Sequence, residues 1–137
     1  MADIGTALTT YLLSKAAIKA IVVDRISPDP IDQKTKLPAI SYFVIDSVSN
    51  EDLDGAVGVA HTRIQIDCYA ETRIAANALA EAVKTAPLQG YRGLMGSVFV
   101  NGVSAGSGAR DEHDKPTDGS NRHRYMRSRD YIISHEE

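Results

Sequence analysis

The sequence predicts an α+β domain in which two helices pack on a mainly antiparallel four-stranded sheet. Three observations lead to this fold class. Apolar residues recur every three or four positions at the N-terminus and again after Thr72, as in amphipathic helices. Each of these segments is followed by two segments that alternate apolar and polar residues or are rich in β-branched residues. The predicted order is helix-strand-strand-helix-strand-strand, with residues 1–137 forming one domain.

The first predicted helix runs from Asp3 to about Ala20. Asp3 is a residue type that caps helix N-termini, and the apolar positions that follow define one helical face. The next segment, SPDPIDQKTKLP, contains Pro28, Pro30 and Pro38, which interrupt helices and remove strand donors. We therefore expect an extended surface connection between the helix and the sheet.

The first two long strands are predicted at Ala39–Val48 and Val57–Tyr69. The first, AISYFVIDSV, is apolar on both faces for much of its length, as a covered strand would be. The second alternates, and its two faces consist of Ile64, Ile66 and Cys68 on one side and Arg63, Gln65 and Asp67 on the other. The polar segment SNEDLDG between them predicts a turn, so the two strands should form an antiparallel hairpin.

The second predicted helix begins at Thr72, a good N-cap, and is stopped by Pro87. Its predicted sheet-facing side consists of Ile74, Ala78, Ala82 and Val83. Two further strands are predicted, from about Leu94 to Val103 and from about Arg122 to Ser134.

The segment between these last strands, at about residues 104–121, predicts a long flexible loop. It reads SAGSGARDEHDKPTDGSN, which is rich in the residues that favour turns and disorder. A loop of this length in a compact domain usually has a function, and we expect it to become ordered on assembly. The residues expected to take part are Arg110, Asp111, Glu112, Asp114 and Lys115.

Composition excludes several classes of protein. The formal charge of -3 disfavours a dedicated nucleic-acid binder, whose field would be positive. The single cysteine, Cys68, excludes an intramolecular disulfide, and its place in an alternating strand predicts a buried side chain. The N-terminal segment has the pattern of neither a signal peptide nor a membrane span, so we expect a protein made in the cytoplasm that does not contact a membrane.

Catalytic and metal-binding patterns are absent from the sequence. The four histidines show no metal-ligand spacing, no Gly-x-Ser-x-Gly nucleophile elbow occurs, and GSGARDEHD lacks the ending of a phosphate-binding loop. The carboxylates Glu51, Asp52 and Asp54 fall in the predicted polar turn, where general acid-base chemistry is disfavoured. The sequence therefore predicts no enzyme, no metal and no cofactor.

The segment NRHRYMRSRDY, residues 121–131, is the strongest anomaly. Alternation predicts Arg122 and Arg124 on one face, with the opposite face formed by Tyr125, Arg127, Arg129 and Tyr131. One interpretation is a solvated edge strand that its charge protects from aggregation. Another is an interface, since arginine and tyrosine are enriched where proteins meet and arginine pairs with carboxylates or phosphates. An RNA-recognition sheet is a third, disfavoured by the acidic chain.

The order of elements and three phrases resemble the tail terminator, or tail completion, family of long-tailed bacteriophages and related gene transfer agents. The phrases are ALTTYLLSKAAIKAIVVDRISPD, KLPAISYFVID and TRIQIDCYAETRIAANALAEAV. The resemblance covers most of residues 4–86. It implies a structural virion protein, assembled in the bacterial cytoplasm, that forms a ring, commonly a hexamer, at the head-proximal end of the tail. Such a ring caps the tail tube, ends its elongation and offers a surface for head-tail joining.

The partners implied are other copies of the chain, the major tail tube protein, and connector or neck proteins, with a passing contact to DNA in the ring lumen left open. Our hypothesis places the subunit or tube interface at Arg122, Arg124, Tyr125, Arg127, Arg129, Glu51, Asp52 and Asp54. Two alternatives remain: a head-tail connector or neck protein that does not control tail length, and a small RNA-binding module.

Overall fold

Residues 3–31, 35–52, 55–114 and 123–136 are described by the structure, which is a computed structural model. Its helices are α1 (Ile4–Leu13), α2 (Ala16–Val22) and α3 (Arg73–Val83), and a π-helical turn (Lys84–Leu88) continues α3. Its strands are β1 (Ile26–Pro28), β2 (Ala39–Asp52), β3 (Gly55–Ala70), β4 (Gly93–Met95), β5 (Val98–Asp114) and β6 (Arg124–Glu136).

The strands form one sheet in the order β1-β2-β3-β6-β5-β4, which curls into a half-barrel. β1 runs parallel to β2, and every other neighbouring pair is antiparallel. The predicted fold of two helices on a four-stranded sheet is therefore wrong, since the described part of the chain contains three α-helices and six strands.

The additional helix arises because the predicted N-terminal helix is interrupted. Asp3 caps α1 as predicted, accepting a hydrogen bond from the Thr6 amide at 3.0 Å. At the other end the Ser14 hydroxyl donates to the Tyr11 carbonyl at 2.6 Å, and Lys15 adopts an extended conformation before α2 starts. Serine side chains compete in this way for backbone acceptors, so the helical pattern continues in the sequence while the helix itself ends.

The additional strands are short and lie at the two edges of the sheet. β1 ends at Pro28, a residue that edge strands tolerate because one of their sides needs no donor. β4 and β5 are joined through Gly96 and Ser97, and Gly96 has φ +58°. A Cβ at Gly96 would lie 3.2 Å from the Ala7 Cα, so glycine also allows this turn to approach α1 closely.

The predicted antiparallel hairpin of β2 and β3 is confirmed, but both strands extend further towards the turn than predicted. β2 continues to Asp52 and β3 starts at Gly55, so Glu51 and Asp52 belong to a strand and not to a turn. The ladder contains two irregularities, one between Val44 and Asp46 and another between Ser49 and Glu51.

The predicted long loop is also wrong over residues 104–114, which form the second half of β5. β6 pairs with this segment from Ala109–Arg129 to Asp114–Arg124. The Gly- and Asp-rich sequence of the segment does not favour a strand by itself, and the hydrogen bonds from β6 hold it in this conformation. The remainder of the predicted loop, residues 115–121, lies outside the described residues.

All three helices contribute to one hydrophobic core on one face of the sheet, here called the apolar face. The core contains, among others, Leu8, Leu12, Ile18, Val22, Leu79, Val83, Ile40, Ile64, Ile66, Val100, Tyr131 and Ile133. α3 buries Ala76, Leu79, Ala80 and Val83, whereas Ile74 is 82% exposed. The predicted sheet-facing side of this helix is thus wrong at Ile74 and at Ala78, which is also exposed, while its Thr72 cap is confirmed by a 3.1 Å hydrogen bond from the Ala75 amide.

The other face of the sheet, here called the polar face, carries the alternate residues of the same strands. On β3 these are Arg63, Gln65, Asp67 and Tyr69, and on β6 they are Arg124, Met126, Ser128, Asp130 and Ile132. β5 adds Arg110 and Glu112 in register with Ser128 and Met126.

Candidate functional site

The arginine-rich strand lies in the interior of the sheet. β6 pairs with β3 on one side and β5 on the other, so the interpretation of its arginines as protection for an exposed edge is wrong. Alternation places Arg124 on the polar face, and Arg127 and Arg129 on the apolar face. Arg122 lies outside the described residues.

Arg127 already has a carboxylate partner within its own chain. Its Nε and one terminal nitrogen donate to the two oxygens of Asp111 at 2.8 and 3.2 Å, the paired geometry that arginine favours. The hydrogen bond from Arg127 holds the pKa of Asp111 below its ordinary value, and in return the pKa of Arg127 is raised. This pair joins β5 to β6 at a partly exposed position.

Arg73, at the start of α3, fixes the helix to the same two strands. Its guanidinium donates to the carbonyls of Met126 on β6 and Glu112 on β5 at 3.0 and 2.9 Å, and lies 3.5 Å from Asp111. The same group lies over the Tyr125 ring, 5.2 Å from its centroid. The sequence patterns did not identify Arg73, because it occupies the first helical position and lies outside the arginine-rich segment.

Arg124 is buried on the polar face at 8% exposure, with its guanidinium 5.6 Å from the centroid of the Tyr69 ring. The two residues line a cavity of about 70 Å³ together with Glu112, His113 and Met126. Pockets for small organic ligands usually measure about 300 Å³ or more, so this cavity is too small for such a ligand. Arg124 therefore contributes to the packing of the sheet.

Arg129 differs from its neighbours in β6. In the part of the chain described by the structure, its guanidinium forms neither an ion pair nor a hydrogen bond. It lines a shallow depression next to Arg110 and Asp130, where β5 is irregular between Ala105 and Ala109. Arg129 lies on the apolar face and Arg110 on the polar face, and together they bring two cations to the depression beside β5.

A polar network crosses the polar face. Arg63 donates to Asp130 at 2.9 Å, Arg110 donates to Gln65 at 2.7 Å, and Gln65 donates to Asp67 at 2.9 Å. These contacts join β3, β5 and β6 side by side. The signal for this network was present in the alternation of Arg63, Gln65 and Asp67, but their partners come from strands distant in sequence.

Of the acidic residues predicted at the interface, the two that the structure describes are not brought together with these arginines, whereas Asp111 of the predicted loop is. Glu51 and Asp52 lie at the far end of β2, and Asp54 is outside the described residues. Arg110, Asp111, Glu112 and Asp114 lie in β5, and Lys115 is outside the described residues. Of the predicted set, the structure joins Arg127 to Asp111 and places Tyr125 beside both Arg73 and His113.

The histidines and the cysteine make local contacts. His113 and His123 lie 2.7 Å apart, His61 contacts Ser134 at 2.7 Å, and His135 contacts Thr62 at 2.7 Å. Among the residues with described positions, no cluster of three or more potential ligands could hold a metal ion. Cys68 is buried as predicted, and burial raises the pKa of its thiol, so it is a poor nucleophile in the folded chain.

None of the helices in the described ranges is long and apolar enough to span a bilayer.

Comparison with known proteins identifies related chains. Residues 6–117 match the sequence family described as Tail completion protein gp17. A solved structure titled "Virion of native gene transfer agent (GTA) particle" contains a chain with the same fold, with a TM-score of 0.70 and 16% sequence identity. That alignment covers 97% of this chain and 94% of the other. No curated protein sequence matches the chain.

Proposed function

Because the chain belongs to the Tail completion protein gp17 family, a family of structural proteins of the phage tail, we propose that it forms a ring on the head-proximal end of the tail tube. The ring, which we expect to be a hexamer, ends tube elongation and presents a surface to the head connector. It acts by binding, and no bond is made or broken.

The observation that carries this proposal is the family match over residues 6–117, and the likeness in fold to the virion chain supports it. The two chains superpose over 97% and 94% of their lengths, so one domain of the same size and fold is present in a particle of this kind. At 16% identity the likeness shows the fold alone, and the function is inferred from the family together with that fold.

The rigidity of the sheet fits such a role. β2, β3, β5 and β6 form long continuous ladders, and Arg73 fixes α3 to two of them. A subunit that must hold its neighbours at a fixed angle needs a body of this kind, with its contacts at edges and loops.

Of the predicted interface arginines, we propose Arg129 as the one that contacts a carboxylate on a neighbouring subunit or on the tube. Its guanidinium is without an ion pair in the described ranges, while Arg127 is held by Asp111 and Arg124 is buried beside Tyr69. Charge reversal by Arg129→Glu should reduce the number of infectious particles, while the isolated protein keeps its unfolding temperature. Normal infectivity of Arg129→Glu particles would refute this assignment.

The test of the ring proposal is negative-stain electron microscopy of particles produced with this gene deleted. Abnormally long tails without heads are expected, because nothing would then stop polymerisation of the tube. A plasmid copy of the gene should restore normal length. Headless tails of normal length would favour the alternative, a connector or neck protein that does not control length, and intact infectious particles would overturn both.

A further inference from the structure

We propose that neighbouring subunits join edge to edge, with the outer edge of β2 in one copy pairing antiparallel with the outer edge of β5 in the next. This inference rests on the proposed ring and names the surfaces that would form it. Its partner is a second copy of the same chain, and the contact is head to tail because the two edges differ.

The outer edge of β2 is open beyond its first residues. β1 pairs only with Ile40, Ser41 and Tyr42. The Tyr42 carbonyl accepts a hydrogen bond from the Asp29 amide at 2.9 Å and so points away from β3. Since backbone groups alternate along a strand, those of Val44 point the same way, past the end of β1. In the described chain, β2 has no strand partner on this side from residue 43 to residue 52.

The outer edge of β5 is open in the same manner but over its second half. β4 pairs only with Val98, Phe99 and Val100, and the Gly90 amide donates to the Val103 carbonyl at 3.1 Å. The same alternation then turns the backbone groups of Ala105 outwards. From residue 104 to residue 114 no described strand covers this side of β5.

The residues on the two open edges are complementary. The open part of β2 exposes three β-branched residues, Val44, Ile45 and Val48, which are 43%, 42% and 57% exposed. The open part of β5 begins with SAGSGA, residues 104–109, whose small side chains allow close approach of another strand. Exposed β-branched residues on an open edge normally invite pairing with another chain, so their presence here is accounted for if a second copy covers them.

Strand direction fits the proposed pairing. The four long strands alternate in direction along the order β2-β3-β6-β5, so β2 and β5 run in opposite directions. Placing β5 of one copy beside β2 of the next therefore continues the antiparallel alternation.

The positions of the two caps fix how the copies meet. β1 covers the start of β2, and β4 covers the start of β5, at the opposite end of the sheet because the strands are antiparallel. Neighbouring copies must therefore be displaced along the strands, and such a stagger is what the closure of a sheet into a ring requires.

The experiment uses two single-cysteine additions, Val44→Cys on β2 and Ala109→Cys on β5, which lie on the same face of the sheet and are expressed together in the host so that both are incorporated into particles. Purified particles are treated with a short bis-maleimide and analysed on a denaturing gel. Cys68 is buried and stays unreacted. We expect linked dimers when both variants are present, and monomers when either is present alone.

Ile74→Cys replaces Ala109→Cys in the control, since Ile74 is 82% exposed and lies on α3 rather than on an edge strand. Val44-to-Val44 links, or equal linking through Ile74, would overturn the proposal. The absence of Val44-to-Ala109 links in tails of normal length would also overturn it, but would leave the proposed ring unaffected. If either cysteine variant is not incorporated into particles, the assembly of two lysine variants is compared instead. Val48→Lys places a charge on the open edge of β2 and should abolish assembly, whereas Leu94→Lys places a charge on β4 and should not.

Discussion

The two faces of the sheet are built by the same strands yet are stabilised in different ways. The apolar face is covered by three helices and contains Leu79, Ile64 and Ile133, all with no exposed surface. The polar face is held by a chain of hydrogen bonds such as Arg63 to Asp130 and Arg110 to Gln65. We infer that the apolar face sets the stability of the subunit and that the polar face mainly sets the alignment of its strands.

The largest effect is expected on the apolar face. Leu79→Ala removes a fully buried side chain between α3 and the sheet and should lower the free energy of unfolding by about 2–5 kcal/mol. The matched control is Ile74→Ala on the same helix, where 82% exposure limits the change to about 0.5 kcal/mol. Urea unfolding of both variants checks the contrast, which equal losses would contradict.

The next largest loss of stability is expected where Arg73 of α3 contacts β5 and β6. Arg73→Met keeps the aliphatic stem but removes donors to the Met126 and Glu112 carbonyls, and should cost about 1–2 kcal/mol, reduced by the partial exposure of the site. Arg92→Met, which changes an exposed cation over the Phe99 ring, serves as the control. Thermal unfolding that left both variants equal to the parent chain would show that α3 is held by its apolar residues alone.

A smaller effect is expected within the polar face. The coupling between Arg63 and Asp130, measured in a double-mutant cycle with Arg63→Ala and Asp130→Ala, should lie between about 0 and 1 kcal/mol, because the Arg63 side chain is half exposed. A coupling as large as the loss from Leu79→Ala would reverse the comparison between the two faces.

The smallest effect depends on pH. Because the pKa of Asp111 is lowered in the folded chain, its pair with Arg127 stabilises the fold above the ordinary aspartate pKa, and this contribution disappears as the pH falls through the lower, folded value. The difference in unfolding free energy between the parent chain and Asp111→Asn should therefore be present at neutral pH and vanish in acid. A difference that stays constant from neutral pH to acid would assign the effect to packing.

Local features were predictable where the signal lies within a few residues. The caps at Asp3 and Thr72 are fixed by side chains adjacent to the helices they start, and both are confirmed. The pairing of β2 with β3 follows from a polar turn between two strand-forming segments, and it is confirmed as well.

Features that depend on distant partners were not predictable in this way. The second half of β5 has the composition of a loop and is a strand because β6 lies beside it, and Ile74 is exposed although its position suits a buried stripe. The pairing of Arg127 with Asp111 needed the register of β5 against β6, which a single sequence does not specify. The arginine-rich segment stood out in the sequence, but its central place in the sheet could not be foreseen.

The alternating directions of the four long strands have a consequence for symmetry. In a head-to-tail ring all copies have the same orientation along the ring axis, so a subunit with three or five alternating long strands would meet its neighbour through two parallel strands, whatever the number of copies. Each copy here contributes four long strands, β2, β3, β6 and β5, so the antiparallel alternation continues from copy to copy in a ring of any size. If the ring closes through these edges, its copy number is set by curvature, and the irregular stretches near Ile45 and Gly106 are where substitutions would change it.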